Sequence, residues 1–82
     1  MINMNSVDKA KVRTCAVVFL RRNKKATSRQ IYEFVASQKI PMIGDGANNT
    51  QTVARILKDS GKSWHFDYER DRYNRYIWFL RE

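Results

Sequence analysis

The spacing of the apolar residues changes at Gly61, and this change restricts the fold more than any other feature. Before Gly61, Val53, Ile56 and Leu57 recur at the spacing that places them on one face of a helix. After Gly61 the chain is rich in aromatic and β-branched residues, and apolar and polar residues alternate. The pattern predicts helices followed by strands, which is an α+β fold.

The C-terminal part is predicted to form an antiparallel β-hairpin. Trp64, Phe66 and Tyr68 alternate with polar residues in a first strand, and "YIWFL" is a second strand that is apolar on both faces. "RDRYN" between them is polar enough to form the turn. Upstream, "KKAT" can supply a short third strand on the edge of the hairpin.

Two helices are predicted in the first half of the chain. The first spans about Val7–Arg22, although a buried strand is an alternative interpretation of its apolar run "CAVVFL". The second runs through "RQIYEFVASQ", starts at a capping box formed by Thr27 and Gln30, and is expected to end at Pro41. Its expected buried residues are Ile31, Phe34 and Val35.

A third helix is predicted after the loop "IPMIGDGANN". Asn48 or Asn49 is expected to cap its first turn, and Gly61 to close it in the left-handed conformation. Val53, Ile56 and Leu57 are its expected buried face.

The length of 82 residues predicts a single domain over residues 1–82, with residues 1–6 disordered. No stretch approaches the length of a membrane span, and the N-terminal residues do not resemble a signal peptide, so a cytoplasmic location is expected by default. Cys15 is the only cysteine, which excludes an internal disulfide and fits a small buried residue.

The charge predicts an anionic partner. Sixteen lysines and arginines outnumber eight aspartates and glutamates, for a formal net charge of +8. Nucleic acid and an acidic membrane surface are the usual partners of such a chain, and a solvated basic surface without a partner is the simpler alternative.

The face of the third helix opposite its apolar stripe carries Gln51, Arg55 and Lys58. Arginine can donate two hydrogen bonds to guanine, glutamine can pair with adenine, and lysine suits a phosphate. The start of a helix also favours a phosphate. An ordinary solvated helix face is the alternative. The predicted DNA-binding residues of this helix are Asn48, Asn49, Thr50, Gln51, Thr52, Arg55 and Lys58.

The hairpin carries Arg70, Arg72 and Arg75, with Glu69 and Asp71 between them. Such arginines can follow a phosphate backbone, but they can equally form ion pairs across a solvated hairpin. "RRNKK" from Arg21 to Lys25 is a further basic stretch. It can contact a nucleic-acid backbone or complement the dipole at the end of the first helix.

The segments "ATSRQIYEFVAS", "NNTQTVARILKDSG" and "WHFDYERDRYNRYIWFL" resemble the winged helix-turn-helix family, and the likeness in element order covers essentially the whole chain. The loop from Lys39 to Ala47 is longer than the tight turn of the simplest members. The resemblance implies a sequence-specific protein for double-stranded DNA, typically a small transcriptional regulator. It places the third helix in the major groove and the hairpin, called the wing, on the backbone or minor groove.

No catalytic constellation is visible, so neither enzymatic activity nor a cofactor is expected. His65 is the only histidine, which together with one cysteine cannot build a usual zinc site. Asp67, Glu69 and Asp71 could hold a hard cation, but their arginine neighbours favour ion pairing. "GDG" at Gly44–Gly46 lacks the context of a phosphate-binding loop and is interpreted as a turn.

Two other functions are compatible with the sequence. The aromatic residues of the sheet could form a protein-interaction surface or stack on RNA bases.

Because one small core has difficulty covering both "CAVVFL" and "YIWFL", a homodimer is also predicted. The residues that suggest a surplus of apolar sheet surface are Trp64, Tyr76, Trp78 and Leu80.

Overall fold

The computed structural model describes residues 6–40 and 46–81 as three α-helices and a three-stranded sheet. This arrangement confirms the predicted α+β class. Residues 1–5 lie outside the described residues, whereas Ser6 begins the first helix. The elements are α1 (Ser6–Asn23), β1 (Lys25–Thr27), α2 (Ser28–Ser37), α3 (Gly46–Trp64), β2 (Phe66–Arg70) and β3 (Tyr76–Leu80).

The sheet is antiparallel, and its strand order is β1-β3-β2. β2 and β3 form the predicted hairpin, and β1 is the predicted short strand on its edge. Ala26, Trp78 and Tyr68 lie side by side across the three strands. Ala26 and Trp78 are buried and Tyr68 is half-buried, so this face of the sheet packs on the helices.

A single core joins the helices to this sheet face. α1 is helical throughout, so the strand interpretation of "CAVVFL" is wrong. α1 packs against α2, α3 and β3, which explains how a helix can be apolar on several sides. The buried apolar residues are Val12, Ala16, Leu20, Ala26, Ile31, Val35, Val53, Ile56, Leu57, Phe66 and Trp78.

α2 begins as predicted and ends within one residue of the predicted segment, with Gln38 as its C-cap. The Thr27 hydroxyl accepts a hydrogen bond from the Gln30 amide, and the Gln30 side chain accepts one from the Thr27 amide. The helix ends at Ser37, where Lys39 in the left-handed conformation (φ 59°) completes a turn. Pro41, which is predicted to end the helix, lies outside the described residues.

Both predicted ends of α3 are wrong. The helix begins at Gly46, so Asn48 and Asn49 lie inside it rather than capping it. Gly61 also lies inside the helix, which continues to Trp64 and ends where His65 takes a left-handed conformation (φ 63°). Consequently Trp64 belongs to the helix and His65 to a turn, and the strand alternation starts only at Phe66.

The predicted loop before α3 is only partly described. Its residues 41–45 lie outside the described residues, and so does most of the turn predicted at "GDG". Residues 46–49, the last four residues of the predicted loop, belong to α3.

Gly61 allows α3 to lie close to β2 and does not end the helix. A Cβ atom at this position would lie 2.9 Å from the backbone oxygen of Phe66 in β2. The Gly61 carbonyl also accepts a hydrogen bond from the Arg81 guanidinium at 2.9 Å. Glycine therefore lets the last part of α3 contact the start of β2 directly.

We expect Gly61→Ala to destabilise the protein by about 1 kcal/mol, whereas an unobstructed helix gains about 1 kcal/mol from this change. The added methyl group must displace the Phe66 carbonyl or move the helix away from β2. Urea unfolding measures the difference, with Ser63→Ala on the exposed side of the same helix as the control. A Gly61→Ala protein more stable than the wild type would contradict the close approach.

Candidate functional site

The outer face of α3 is a row of exposed polar side chains. Gln51, Arg55 and Lys58 are exposed, and Val53, Ile56 and Leu57 on the other side are buried, as predicted. Because α3 continues past Gly61, Lys62 extends the same row by a further turn and is also exposed. The row from residue 51 to residue 62 is about 16 Å long at ~1.5 Å per residue.

Lys62 is not among the residues predicted from the sequence. Its spacing of four residues from Lys58 is visible there, but a glycine at position 61 predicts the end of the helix before it. We call Gln51, Arg55, Lys58 and Lys62 the α3 row.

The start of α3 contributes less to this surface than predicted. Asn49 is only 4% exposed, so its side chain faces the core and not solvent. Asn48 is exposed, Thr50 is half-buried, and the Thr52 hydroxyl donates a hydrogen bond to the Asn48 carbonyl at 3.0 Å. Since the helix begins at Gly46, Asn48 lies in its first turn, where the dipole favours an anion, whereas Thr50 and Thr52 lie beyond that turn.

Tyr76 in β3 connects the α3 row to the hairpin. The Lys58 ammonium lies 5.9 Å from the centre of the Tyr76 ring, and the Arg70 guanidinium lies 4.7 Å from the same ring. Arg70 also donates a hydrogen bond to the Tyr76 hydroxyl at 3.1 Å. These two cation–π contacts make the helix face and the hairpin one continuous basic surface.

Asp71 organises the turn of the hairpin. Its carboxylate accepts hydrogen bonds from the amides of Tyr73 and Arg75, each at 2.9 Å, and from the Arg75 guanidinium at 2.8 Å. The hydrogen bond from the Arg75 amide, together with the Arg75 side chain and the Tyr73 amide, lowers the pKa of Asp71 below its ordinary value. Asn74 takes the left-handed conformation (φ 64°) that such a turn requires.

Two of the three hairpin arginines are held by neighbouring side chains. Arg75 forms an ion pair with Asp71 at 2.8 Å, which fits the ion-pairing alternative for this hairpin. Arg70 is held by the Asn74 side chain at 2.9 Å and by Tyr76.

Arg72 is held less strongly than the other two. It is exposed and lies 5.8 Å from the Tyr73 ring. No hydrogen bond or ion pair joins its side chain to another described residue. Arg72 is therefore the hairpin cation most available to a partner.

The acidic residues of the hairpin serve separate structural contacts. Glu69 pairs with Lys25 of β1 at 2.6 Å, and the Asp67 carboxylate accepts a hydrogen bond from the Tyr68 amide at 2.8 Å. Within residues 6–40 and 46–81, no three His, Cys, Asp or Glu side chains come together as candidate metal ligands.

The aromatic residues of the sheet do not form the predicted surplus surface. Trp78 is 1% exposed, and Trp64, Tyr76 and Leu80 are half-buried against the core. Tyr68, Tyr76 and Trp78 pack together, with ring centres 4.7–5.6 Å apart. The large apolar side chains exposed among the described residues are Val7, Val18 and Tyr73. Dimer formation stays a prediction: Ile77 and Phe79, on the other face of β3, are only half-buried and do not belong to the core.

Comparison with known proteins identifies no relative. No protein-family model matches the sequence, and neither a curated protein nor a solved structure matches it significantly. In the part of the chain that the structure describes, no helix is both long enough and apolar enough to cross a membrane.

Proposed function

We propose that the chain is a winged helix-turn-helix protein that binds double-stranded DNA in a sequence-specific manner and acts as a small transcriptional regulator. The observation that carries the proposal is the continuous surface of the α3 row, Tyr76 and the hairpin. An α-helix about 10–12 Å across fits a major groove that is about 12 Å wide. The hairpin beside it then lies over the flanking backbone.

Each side chain of this surface has a distinct role in the proposal. Gln51 and Arg55 contact base edges, because their planar groups can make two hydrogen bonds to one base. Lys58 and Lys62 contact phosphates on either side of the groove, and Arg72 contacts the backbone from the hairpin. Asn48 and Thr50 stay candidate contacts at the start of the helix.

The burial of the sheet aromatics favours DNA over the alternatives. RNA binding by stacking needs aromatic faces that are open to bases, and a protein-interaction surface needs an exposed apolar patch. Trp78 is enclosed in the core, and Tyr76 is covered in part by Lys58 and Arg70. The basic row on α3 remains exposed, which is the feature that distinguishes the DNA hypothesis.

Titration with mixed-sequence duplex DNA, followed by amide chemical shifts, tests the proposal. We expect the largest shifts at residues 51–62 of α3 and at residues 70–75 of the hairpin. Shifts confined to β1 and to the outer side of the sheet would contradict the groove model, and so would the absence of binding at low salt.

We expect Arg72→Ala to weaken binding to specific and random duplexes by the same factor. The slope of log affinity against log salt should decrease by about 0.9, because one phosphate is no longer neutralised. Thermal unfolding should change little, because the side chain is exposed and makes no ion pair with a described residue. Binding assays at several salt concentrations measure the slope.

Arg75→Ala is the matched control for this prediction. It removes the same charge, but it also breaks the ion pair with Asp71 and should therefore loosen the turn. An unchanged salt slope in Arg72→Ala would remove that residue from the DNA contacts.

A further inference from the structure

The proposed DNA surface does not account for most of the positive charge. Half of the sixteen cations lie between residues 9 and 32, where the sequence contains no acidic residue. Residues 46–81 contain seven cations but also four acidic residues. The cations of the first region are Lys9, Lys11, Arg13, Arg21, Arg22, Lys24, Lys25 and Arg29.

The fold gathers four of these cations on the solvent side of α1 and the turn that follows it. Lys11, Thr14, Val18 and Arg22 are exposed at helical spacing, so they share one face, and Arg21 is exposed next to it. Lys24 is exposed directly after the helix. We call Lys11, Arg21, Arg22 and Lys24 the α1 basic surface.

These four side chains are not neutralised within the described part of the chain. Lys25 is paired with Glu69 at 2.6 Å and Arg29 lies 3.8 Å from Glu33, but no ion pair joins the α1 basic surface to a described acidic residue. The charge therefore stays available to an external anion.

The negative dipole end of α1 explains only some of the cations of the α1 basic surface. Arg21 and Arg22 lie in the last turn, where cations are favourable. Lys24 follows the helix in the left-handed conformation (φ 69°), which glycine and asparagine adopt more easily than lysine. A lysine directly after the helix also complements this dipole end, whereas Lys11 lies about three turns before it and is not explained by the dipole.

The α1 basic surface lies at the other end of β3 from Tyr76. Arg21 and Lys24 line a shallow depression together with Leu20 and Leu80. Leu80 is the last residue of β3 and Tyr76 is the first, so about 14 Å of strand separates the two, at ~3.4 Å per residue. Lys58 and Arg70 contact Tyr76, whereas Lys62 follows Gly61, whose carbonyl accepts a hydrogen bond from Arg81 next to Leu80. The α3 row therefore reaches the Leu80 end as well. The exposed faces of α1 and α3 nevertheless point away from the core that the two helices share, so the two basic surfaces face different directions.

We propose that the α1 basic surface binds the phosphate backbone of a second DNA segment, so that one domain bridges two duplexes. This inference rests on the proposed function of the α3 row. The occupant is a nucleic-acid backbone because the surface consists of cations with small polar neighbours such as Thr14 and Asn23. Protein interfaces instead concentrate aromatic anchors and are poor in lysine, and α1 exposes only Val7 and Val18 as large apolar groups among its described side chains.

Energy transfer between two differently labelled short duplexes tests the bridge. We expect the wild-type protein to bring donor and acceptor duplexes together at low salt, and sedimentation to show one protein chain with two duplexes. Excess protein should abolish the transfer by occupying each duplex separately. A saturated complex of one chain with one duplex would overturn the proposal, as would a bridged complex that contains two protein chains.

The double variant Arg21→Gln, Lys24→Asn isolates the second surface. It should reduce energy transfer strongly but bind the first duplex with the wild-type salt slope. The slope for the second duplex should fall by about 0.9 per cation removed. Asparagine suits the left-handed conformation of residue 24, so folding should be preserved. Arg29→Gln, Lys39→Asn removes the same charge from exposed positions elsewhere and should keep the bridge. Equal transfer in both double variants would overturn the proposal.

Failure of the bridge can be distinguished from failure of the proposed function. In Arg55→Ala, Lys58→Ala the first duplex site loses a base contact and a phosphate contact, so we expect it to bind more weakly and without sequence preference, while the α1 basic surface still binds a duplex. Wild-type affinity and specificity in this variant would contradict the role of α3 and, with it, the bridge. A wild-type protein that prefers one DNA sequence but never joins two duplexes would contradict the bridge alone. Binding of polyglutamate at α1 without a second duplex would overturn the bridge in favour of an acidic protein.

Discussion

Replacing Trp78 with alanine is expected to lower the free energy of unfolding by about 3–5 kcal/mol. Trp78 is 1% exposed and lies in the middle of β3, between Ala26 and Tyr68 on the neighbouring strands. Its indole N–H donates a hydrogen bond to the buried Ser28 hydroxyl at 2.8 Å. The substitution leaves a large cavity and removes the partner of that hydroxyl.

Such a decrease is a large part of the stability that a domain of this size possesses. At about 0.05–0.15 kcal/mol per residue, a chain of 82 residues is stable by roughly 4–12 kcal/mol. Each kcal/mol lowers the melting temperature of a small domain by about 4–8 °C. Trp78→Ala should therefore melt about 12–40 °C below the wild type, which thermal melts followed by circular dichroism will show.

Two variants separate packing from hydrogen bonding at this site. Ser28→Ala keeps the indole but leaves its N–H without this acceptor, at an expected cost of about 1–3 kcal/mol. Tyr73→Ala removes an aromatic residue that is 68% exposed and should change stability by less than about 0.5 kcal/mol. A Trp78→Ala protein as stable as Tyr73→Ala would contradict the placement of Trp78 in the core.

Replacing Arg55 with alanine is expected to cost about 1–3 kcal/mol of binding to the preferred DNA site, which is roughly a 5- to 150-fold decrease in affinity. The decrease on random DNA should be smaller, because no base is recognised there. Arg55 is exposed in the middle of the α3 row, so its removal should leave the fold intact. Competition binding with specific and random duplexes measures the ratio.

Arg55→Lys separates charge from geometry in the same experiment. Lysine keeps the positive charge but cannot make the planar two-bond contact to guanine, so the salt slope should stay while the sequence preference falls. Lys58→Ala, the phosphate control, should weaken both duplexes alike. If Arg55→Ala weakened specific and random DNA by the same factor, base recognition by α3 would be refuted.

Part of the candidate site could be predicted because it depends on helical periodicity alone. The buried stripe of Val53, Ile56 and Leu57 determines which side of α3 faces outward, and therefore exposes Gln51 and Arg55. The burial of Asn49 was not predictable from this pattern, since asparagine is usually a surface or capping residue.

Which hairpin arginine is available to a partner depends on side-chain contacts that the sequence does not specify. Arg70, Arg72 and Arg75 are equivalent in chemistry, yet Asp71 holds Arg75 and Tyr76 holds Arg70. The turn geometry around Asn74 decides which arginine meets which partner. Arg72 can be singled out only after these contacts are known.

The sequence by itself determined the features that arise from neighbouring residues. Helical spacing, the Thr27–Gln30 capping box and the strand-forming aromatics specify three helices and a sheet, because these interactions act within a few residues of the chain. Only the tertiary structure decided the role of Gly61, the burial of Trp78 and the joining of Lys58 to Arg70 through Tyr76. Each of these depends on residues that lie on different elements, and a local pattern carries no information about which distant atom will approach.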